Sequence, residues 1–163
     1  MRTRIVSGLV GALLAAGVSA SVMAAPALAE TGQESRHHWA KTTVTVDSGA
    51  AVALDFFGIK LTALWPATGS TPTFTFPVCA KRGGVVELLG GLRFTANDKA
   101  FTVYAPVVNT DIGVVKAGRL ELFSIDGQNL VLTAAGAQAL NESLGFSGLF
   151  SQGFLFGSFV TSH

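Results

Sequence analysis

The histidines are the residues of this sequence that most readily suggest catalysis or metal binding. His37 and His38 are adjacent, and His163 is the last residue. A Ser-His-Asp site would need one of them held within hydrogen-bond reach of a serine, and chain ends are seldom ordered enough for that. Adjacent histidines also point in different directions on a strand or a helix, which makes them a poor pair of metal ligands. We therefore predict no catalytic residue, no metal site and no cofactor.

The sequence also gives little support for a nucleophilic serine or for a catalytic pair of acids. Segment 145–149 has the sequence Gly-Phe-Ser-Gly-Leu, so it lacks the last glycine of the G-x-S-x-G motif that presents a nucleophilic serine. A glycosidase would need two acids at a fixed separation. Asp55, Glu87 and Glu121 fall within predicted strands, most simply on outward faces, and the sequence does not bring any two of them together.

The aromatic residues are better candidates for binding a ligand. The chain has 12 Phe but only one Tyr and two Trp. Several Phe lie in segment 143–163, which contains no charged side chain. Phe in strands usually belongs to the core, but the alternative is a wall that lines a pocket for an acyl chain or a sterol. The candidate ligand-binding residues are Phe146, Phe150, Phe154, Phe156 and Tyr104.

The first 29 residues have the features of a secretory signal peptide. Arg2 and Arg4 give a positive start, residues 5–24 are uncharged and largely apolar, and Ala27-Leu28-Ala29 fits the A-x-A cleavage pattern. We predict that the protein is secreted and that cleavage leaves a flexible leader over 30–40. No later segment is apolar and long enough to predict a transmembrane helix.

Composition excludes some partners. Cleavage would lower Lys+Arg from 11 to 9 against 10 acids, so the mature chain has no basic excess for binding nucleic acid. Cys79 is the single cysteine, which excludes an intramolecular disulfide. We predict that its thiol is buried, with a reactive or dimer-forming thiol as the alternative.

The elements that must position these residues are mainly strands. From residue 41, short runs rich in Val, Thr, Leu and Phe alternate with Gly, Pro, Asn and Asp, which predicts about ten short strands, among them 51–57 and a last one over 153–161. One short helix is predicted near 133–143, with Thr133 as N-cap and Gly145 as its stop. Residues 41–163 should therefore form a single domain, an antiparallel β-sandwich or a closed barrel.

Four segments resemble a recurring order in small secreted actinobacterial proteins that include the HtaA-type haem-uptake domain. They are 90–95, 118–122, 130–137 and 150–157, within a region of about 85–160. The resemblance implies a β-rich fold and haem held by a Tyr near the domain start with a supporting His. Residues 39–57 contain no Tyr, so no ligand residue is carried over. Some similar secreted proteins are labelled cholesterol esterases.

The function predicted from these observations is that of a secreted, non-catalytic β protein that binds a ligand or a component of the cell envelope. An apolar, lipid-like molecule is the candidate ligand. The first alternative is an extracellular lipid or sterol ester hydrolase, and the second is a haem carrier.

Overall fold

The alternating segments of this sequence close into a β-barrel. The structure is a computed structural model that describes residues 40–162, and these residues lie within one compact unit. In chain order the elements are β1 (Lys41–Val46), α1 (Ser48–Phe56), β2 (Lys60–Leu64), β3 (Thr68–Ser70), β4 (Thr73–Arg82), β5 (Val85–Leu88), β6 (Gly91–Ala96), β7 (Lys99–Tyr104), β8 (Val107–Asn109), β9 (Val114–Ala117), β10 (Leu120–Asp126), β11 (Asn129–Leu132), α2 (Ala134–Leu144) and β12 (Leu155–Ser162).

Eight strands form the barrel wall. They pair in the order β1-β12-β11-β10-β9-β8-β5-β4, and β4 pairs with β1 to close the ring. Every pair is antiparallel. The short strand β3 pairs with the first residues of β4, and β5 pairs with the later residues of β4, from Val78 to Arg82. The predicted mainly β, antiparallel fold class is confirmed, in its closed-barrel form.

Burial along the wall follows the period of two that the sequence shows. In β4, Phe74, Phe76 and Val78 are buried, while the residues between them face outward. The rings of Phe123 and Phe156 stack inside the barrel with centroids 5.0 Å apart. Phe side chains from several strands therefore fill the interior.

A second layer covers part of the barrel. Strands β2, β6 and β7 form an antiparallel three-stranded sheet in which β6 is central. Its inner face contributes Leu92, Phe94 and Val103 to the core. The Phe94 ring lies 5.8 Å from the Phe156 ring, so this contact joins the second layer to the barrel. The outer face of the sheet is largely exposed to solvent.

The predicted helix near 133–143 is confirmed as α2. The Thr133 hydroxyl accepts a hydrogen bond from the Gly136 amide at 2.9 Å, which satisfies a free N–H of the first turn. Gly145 ends the helix in the left-handed region, at φ 76°. Leu140 and Leu144 are buried between this helix and the sheets, which hold so short a helix in place.

The predicted strand over 51–57 is wrong, because these residues belong to helix α1. The Asp47 carboxylate accepts hydrogen bonds from the amides of Gly49 and Ala50 at 2.8 and 3.2 Å. That is N-cap geometry, and Ala and Leu, the best helix formers, make up much of the segment that follows. The structure therefore contains a helix that the sequence analysis did not predict.

The predicted burial of Cys79 is also wrong. Its thiol is exposed, since Cys79 follows the inward-facing Val78 on β4 and so points outward. The register of β4 against β5 shifts between Val78 and Ala80, and Cys79 is the extra residue at this irregularity. The last predicted strand is present as β12, where it lies between β1 and β11.

Candidate binding surface

The predicted ligand-binding residues do not line a common pocket. Phe156 is only 3% exposed, within the barrel core. Tyr104 lies on the exposed outer face of the second layer, with its ring against Gly91 of the neighbouring strand. The other three, Phe146, Phe150 and Phe154, lie in or beside the segment between α2 and β12.

The interior of the barrel has little room for a ligand. Its cavity measures about 50 Å³ and is lined only by apolar side chains, among them Phe76, Phe123 and Phe156. Sites for drug-sized ligands occupy about 300–1,000 Å³. Because the Phe side chains fill the space that a lipid-binding barrel leaves open, the exterior is where binding must be sought.

An apolar patch on the exterior begins on α1. Val52 and Phe56, one helical turn apart on the same side, are 70% and 81% exposed. Phe57 extends the patch, since its ring meets Phe56 edge-on with centroids 5.1 Å apart. Phe146 completes it, at 6.2 Å from Phe57. We call Val52, Phe56, Phe57 and Phe146 the apolar patch.

A second row of apolar side chains supports the patch from below. Leu149, Phe150 and Phe154 line a cavity of about 20 Å³ together with Phe57. The rings of Phe150 and Phe154 meet edge-on at 5.7 Å. Three of the predicted ligand-binding residues, Phe146, Phe150 and Phe154, therefore lie in or directly beneath the apolar patch.

Asn141 of α2 fixes the segment that carries these side chains. Its amide nitrogen donates to the carbonyl oxygen of Phe150 at 2.8 Å, and its amide oxygen accepts from the Phe150 N–H at 2.9 Å. This two-way hydrogen bond ties the middle of segment 145–154 to the helix. The Asn141 amide offers a donor and an acceptor side by side, so it satisfies both backbone groups of Phe150.

We expect Asn141→Asp to lower the free energy of unfolding by about 2 kcal/mol, because a carboxylate would face the Phe150 carbonyl without a proton to donate. Chemical denaturation measures this change, and hydrogen exchange at the Phe150 amide should become faster. The matched control is Gln152→Glu, which also exchanges an amide for a carboxylate but at an exposed position of segment 145–154. Equal stability of the two variants would show that the Asn141 contact does not hold the segment.

Positive charge collects next to the apolar patch. On the outer face of the β2-β6-β7 sheet, Lys60 of β2 lies opposite Thr95 of β6, and Thr62 lies opposite Arg93. Lys60 and Arg93 are thus diagonal neighbours, with Cβ atoms about 7 Å apart. Together with Lys99 they line a hollow of about 310 Å³. We call the space lined by Lys60, Arg93 and Lys99 the cationic hollow.

The cations of this hollow make no ion pair within residues 40–162. Asp98 also lines the hollow, so the four ionised side chains leave a net charge of +2. Lys99 has a structural role as well, since its ammonium nitrogen lies 2.9 Å from where a Cβ on Gly145 would stand. A cation there stabilises the C-terminal end of α2. Within residues 40–162 the side chains of Lys60 and Arg93 form no hydrogen bond or ion pair.

The cationic hollow and the apolar patch are contiguous. Gly58, which lines the hollow, directly follows Phe57 of the patch. On the other side, Lys99 lies against Gly145, which directly precedes Phe146. An aromatic, apolar surface therefore borders a positively charged one along both chain segments.

Another groove, of about 580 Å³, runs beside the start of α1, but its one ionisable side chain, Asp47, already caps that helix.

Within residues 40–162 no three His, Cys, Asp or Glu side chains come together as a metal site would require. Ser147 is exposed. His37, His38 and His163 lie outside the described residues, as do the predicted signal peptide and most of the predicted leader.

Neither helix in the described part of the chain is long and apolar enough to cross a bilayer. No protein-family model, curated protein or solved structure matches the chain. The resemblance to HtaA-type domains therefore stays a prediction.

Part of both surfaces was not predicted from the sequence. Val52, Phe56 and Phe57 were assigned to a strand, which hides the fact that Val52 and Phe56 share one side of a helix. The signal for that helix was present as Asp47 followed by an Ala-rich segment. The convergence of Lys60, Arg93 and Lys99 depends on the β2-β6 register and on the docking of α2, for which the sequence has no local signal.

Proposed function

We propose that this chain is an exported, non-catalytic protein that binds a lipid surface through the apolar patch. The observation that carries the proposal is the composition of α1. Ala50 and Leu54 face the core, yet Val52 and Phe56 on the other side are also apolar. Asp55 is an exposed charged residue of α1, but Val52 and Phe56 leave much of the outer side apolar, and an apolar helix face is normally buried. The exposed side of α1 therefore calls for an apolar partner.

The shape of the patch favours a lipid surface over a single bound ligand. Val52 and Phe56 project from the helix, and the cavity beneath Phe57 measures only about 20 Å³. Small ligands occupy concave sites that enclose most of their surface. Projecting aromatic and aliphatic side chains instead enter the boundary between headgroups and acyl chains, as interfacial helices do.

Export supports the same proposal. Arg2, Arg4, the uncharged residues 5–24 and the A-x-A site at 27–29 would direct the chain out of the cytoplasm. There it would meet the cell envelope, which is the setting of the predicted function. A filled barrel would then serve as a rigid support that presents α1.

We expect Phe56→Ser to weaken the partitioning of the protein onto phosphatidylcholine vesicles by about thirtyfold. Transfer of an exposed Phe side chain from water into an apolar phase contributes about 2 kcal/mol, and the substitution removes it. Co-sedimentation with vesicles over a range of lipid concentrations measures the partition coefficient.

The matched control is Ile112→Ser, which also removes a large apolar side chain, 62% exposed, outside the patch. It should partition like the unaltered protein. Both variants should keep the unaltered unfolding midpoint, since both side chains are exposed. If the unaltered protein does not bind vesicles, or if the two variants bind equally, the proposal is wrong.

A further inference from the structure

We infer that the cationic hollow selects anionic lipid headgroups, so that the protein prefers negatively charged bilayers to neutral ones. This inference rests on the proposed function, because it assigns the hollow a role at the same lipid surface. Its starting point is that Lys60 and Arg93 line one space and form no ion pair with an acid in the described part of the chain, although Asp98 lines the same space.

The geometry suits a phosphate group. Lys60 and Arg93 extend from adjacent strands, at diagonal positions from which both side chains can reach a single anion. An Arg guanidinium offers paired donors to two phosphate oxygens, and a Lys ammonium adds a point charge. The Thr95 side chain, between them on the same face, supplies a hydroxyl that can also donate.

The position of the hollow identifies the source of that anion. The hollow borders the apolar patch along both Phe57-Gly58 and Gly145-Phe146. A lipid has the same order of parts, with an anionic headgroup directly next to acyl chains. When the apolar patch enters the acyl boundary, the hollow lies at the level of the headgroups. A phosphate-bearing headgroup therefore fits the whole surface, whereas free phosphate would use only half of it.

Two acids limit the strength of this preference. Asp98 lines the hollow, and Asp55 of α1 lines a second groove together with Lys60. The Lys99 ammonium lies against Gly145 at the C-terminal end of α2, so only part of its charge acts in the hollow. The preference should therefore depend chiefly on Lys60 and Arg93, each of which contributes about a fivefold gain in partitioning near an anionic surface.

The test compares phosphatidylcholine vesicles with vesicles that also contain phosphatidylglycerol. At about 0.15 M salt the unaltered protein should partition more strongly onto the anionic vesicles, and at about 1 M salt the difference should largely vanish because the charges are screened. The double variant Lys60→Gln/Arg93→Gln should lose about 25-fold in partitioning onto anionic vesicles. It should bind neutral vesicles like the unaltered protein.

The matched control is Lys41→Gln/Arg119→Gln, which removes the same charge at exposed positions outside the hollow. It should keep most of the anionic preference. Equal losses in the two double variants, or equal binding of the unaltered protein to both kinds of vesicle, would overturn the inference.

The outcomes also separate this inference from the proposed function. Binding to neutral vesicles that Phe56→Ser abolishes, without any charge preference, leaves the proposed function standing and overturns the headgroup assignment. Absence of binding to either vesicle overturns both. Titration with inorganic phosphate provides the last comparison. If it shifts the Arg93 and Lys60 NMR signals at concentrations that also abolish the anionic preference, the hollow is a site for the free anion and the headgroup assignment is wrong.

Discussion

Phe156→Ala is expected to lower the free energy of unfolding by about 3–5 kcal/mol, the largest effect of any substitution considered for this protein. Phe156 is 3% exposed, and its ring contacts two other rings, Phe123 at 5.0 Å and Phe94 at 5.8 Å. Truncation removes the buried side chain and both ring contacts, and it enlarges a cavity that already measures about 50 Å³. A loss of this size is a large fraction of the stability of a typical domain.

Phe56→Ala provides the matched comparison, because the same change is made to a residue that is 81% exposed. Its free energy of unfolding should change by less than about 0.5 kcal/mol, as is usual for exposed positions. Urea denaturation of both variants, followed by fluorescence or circular dichroism, measures the difference. Similar losses in the two would mean that Phe156 does not join the second layer to the barrel.

Gly136→Ala is expected to destabilise the protein by about 3 kcal/mol, although alanine is the better helix former. A Cβ on Gly136 would overlap the carbonyl oxygen of Leu122 and approach the Leu122 Cα to 3.2 Å. The obstacle is the backbone of β10, so no side-chain rotation relieves it. The first turn of α2 would have to move away from the sheet, which would loosen the packing of Leu140 and Leu144.

The comparison for this variant is Ala135→Gly, which changes the neighbouring, exposed position in the opposite direction. It should cost about 1 kcal/mol, the ordinary difference between Ala and Gly in a helix. Thermal and urea unfolding of the two variants provide the measurement. If Gly136→Ala is as stable as the unaltered protein, α2 does not pack against β10 as closely as the structure shows.

Much of the fold follows from local patterns in the sequence. Alternation such as Phe74-Thr75-Phe76 determines which side of a strand is buried, and the pair Thr133 and Gly145 marks both ends of α2. The strand segments, the antiparallel class and this helix could therefore be predicted. The closure of β1 onto β4 could not, because it joins strands through pairings that no local pattern specifies.

The candidate surface was predicted only in part. Phe146, Phe150 and Phe154 were chosen for their aromatic character, and they lie in or beneath the apolar patch. Phe156 was chosen on the same ground but lies in the core, where its ring contacts Phe94 and Phe123. Phe56 was missed because residues 51–57 were predicted to form a strand. The structure has a helix there, in which Val52 and Phe56 lie on the same exposed side.

The pairing of β1 with β12 determines when the barrel can close during synthesis of the chain. β1 is the first strand and β12 the last, and they pair along their whole length, from Lys41 with Ser162 to Val46 with Gly157. The ring cannot close until β12 has been synthesised, and pairings between distant segments form slowly. A nascent chain that does not yet include β12 therefore lacks the strand that joins β1 to β11, and its sheet stays open.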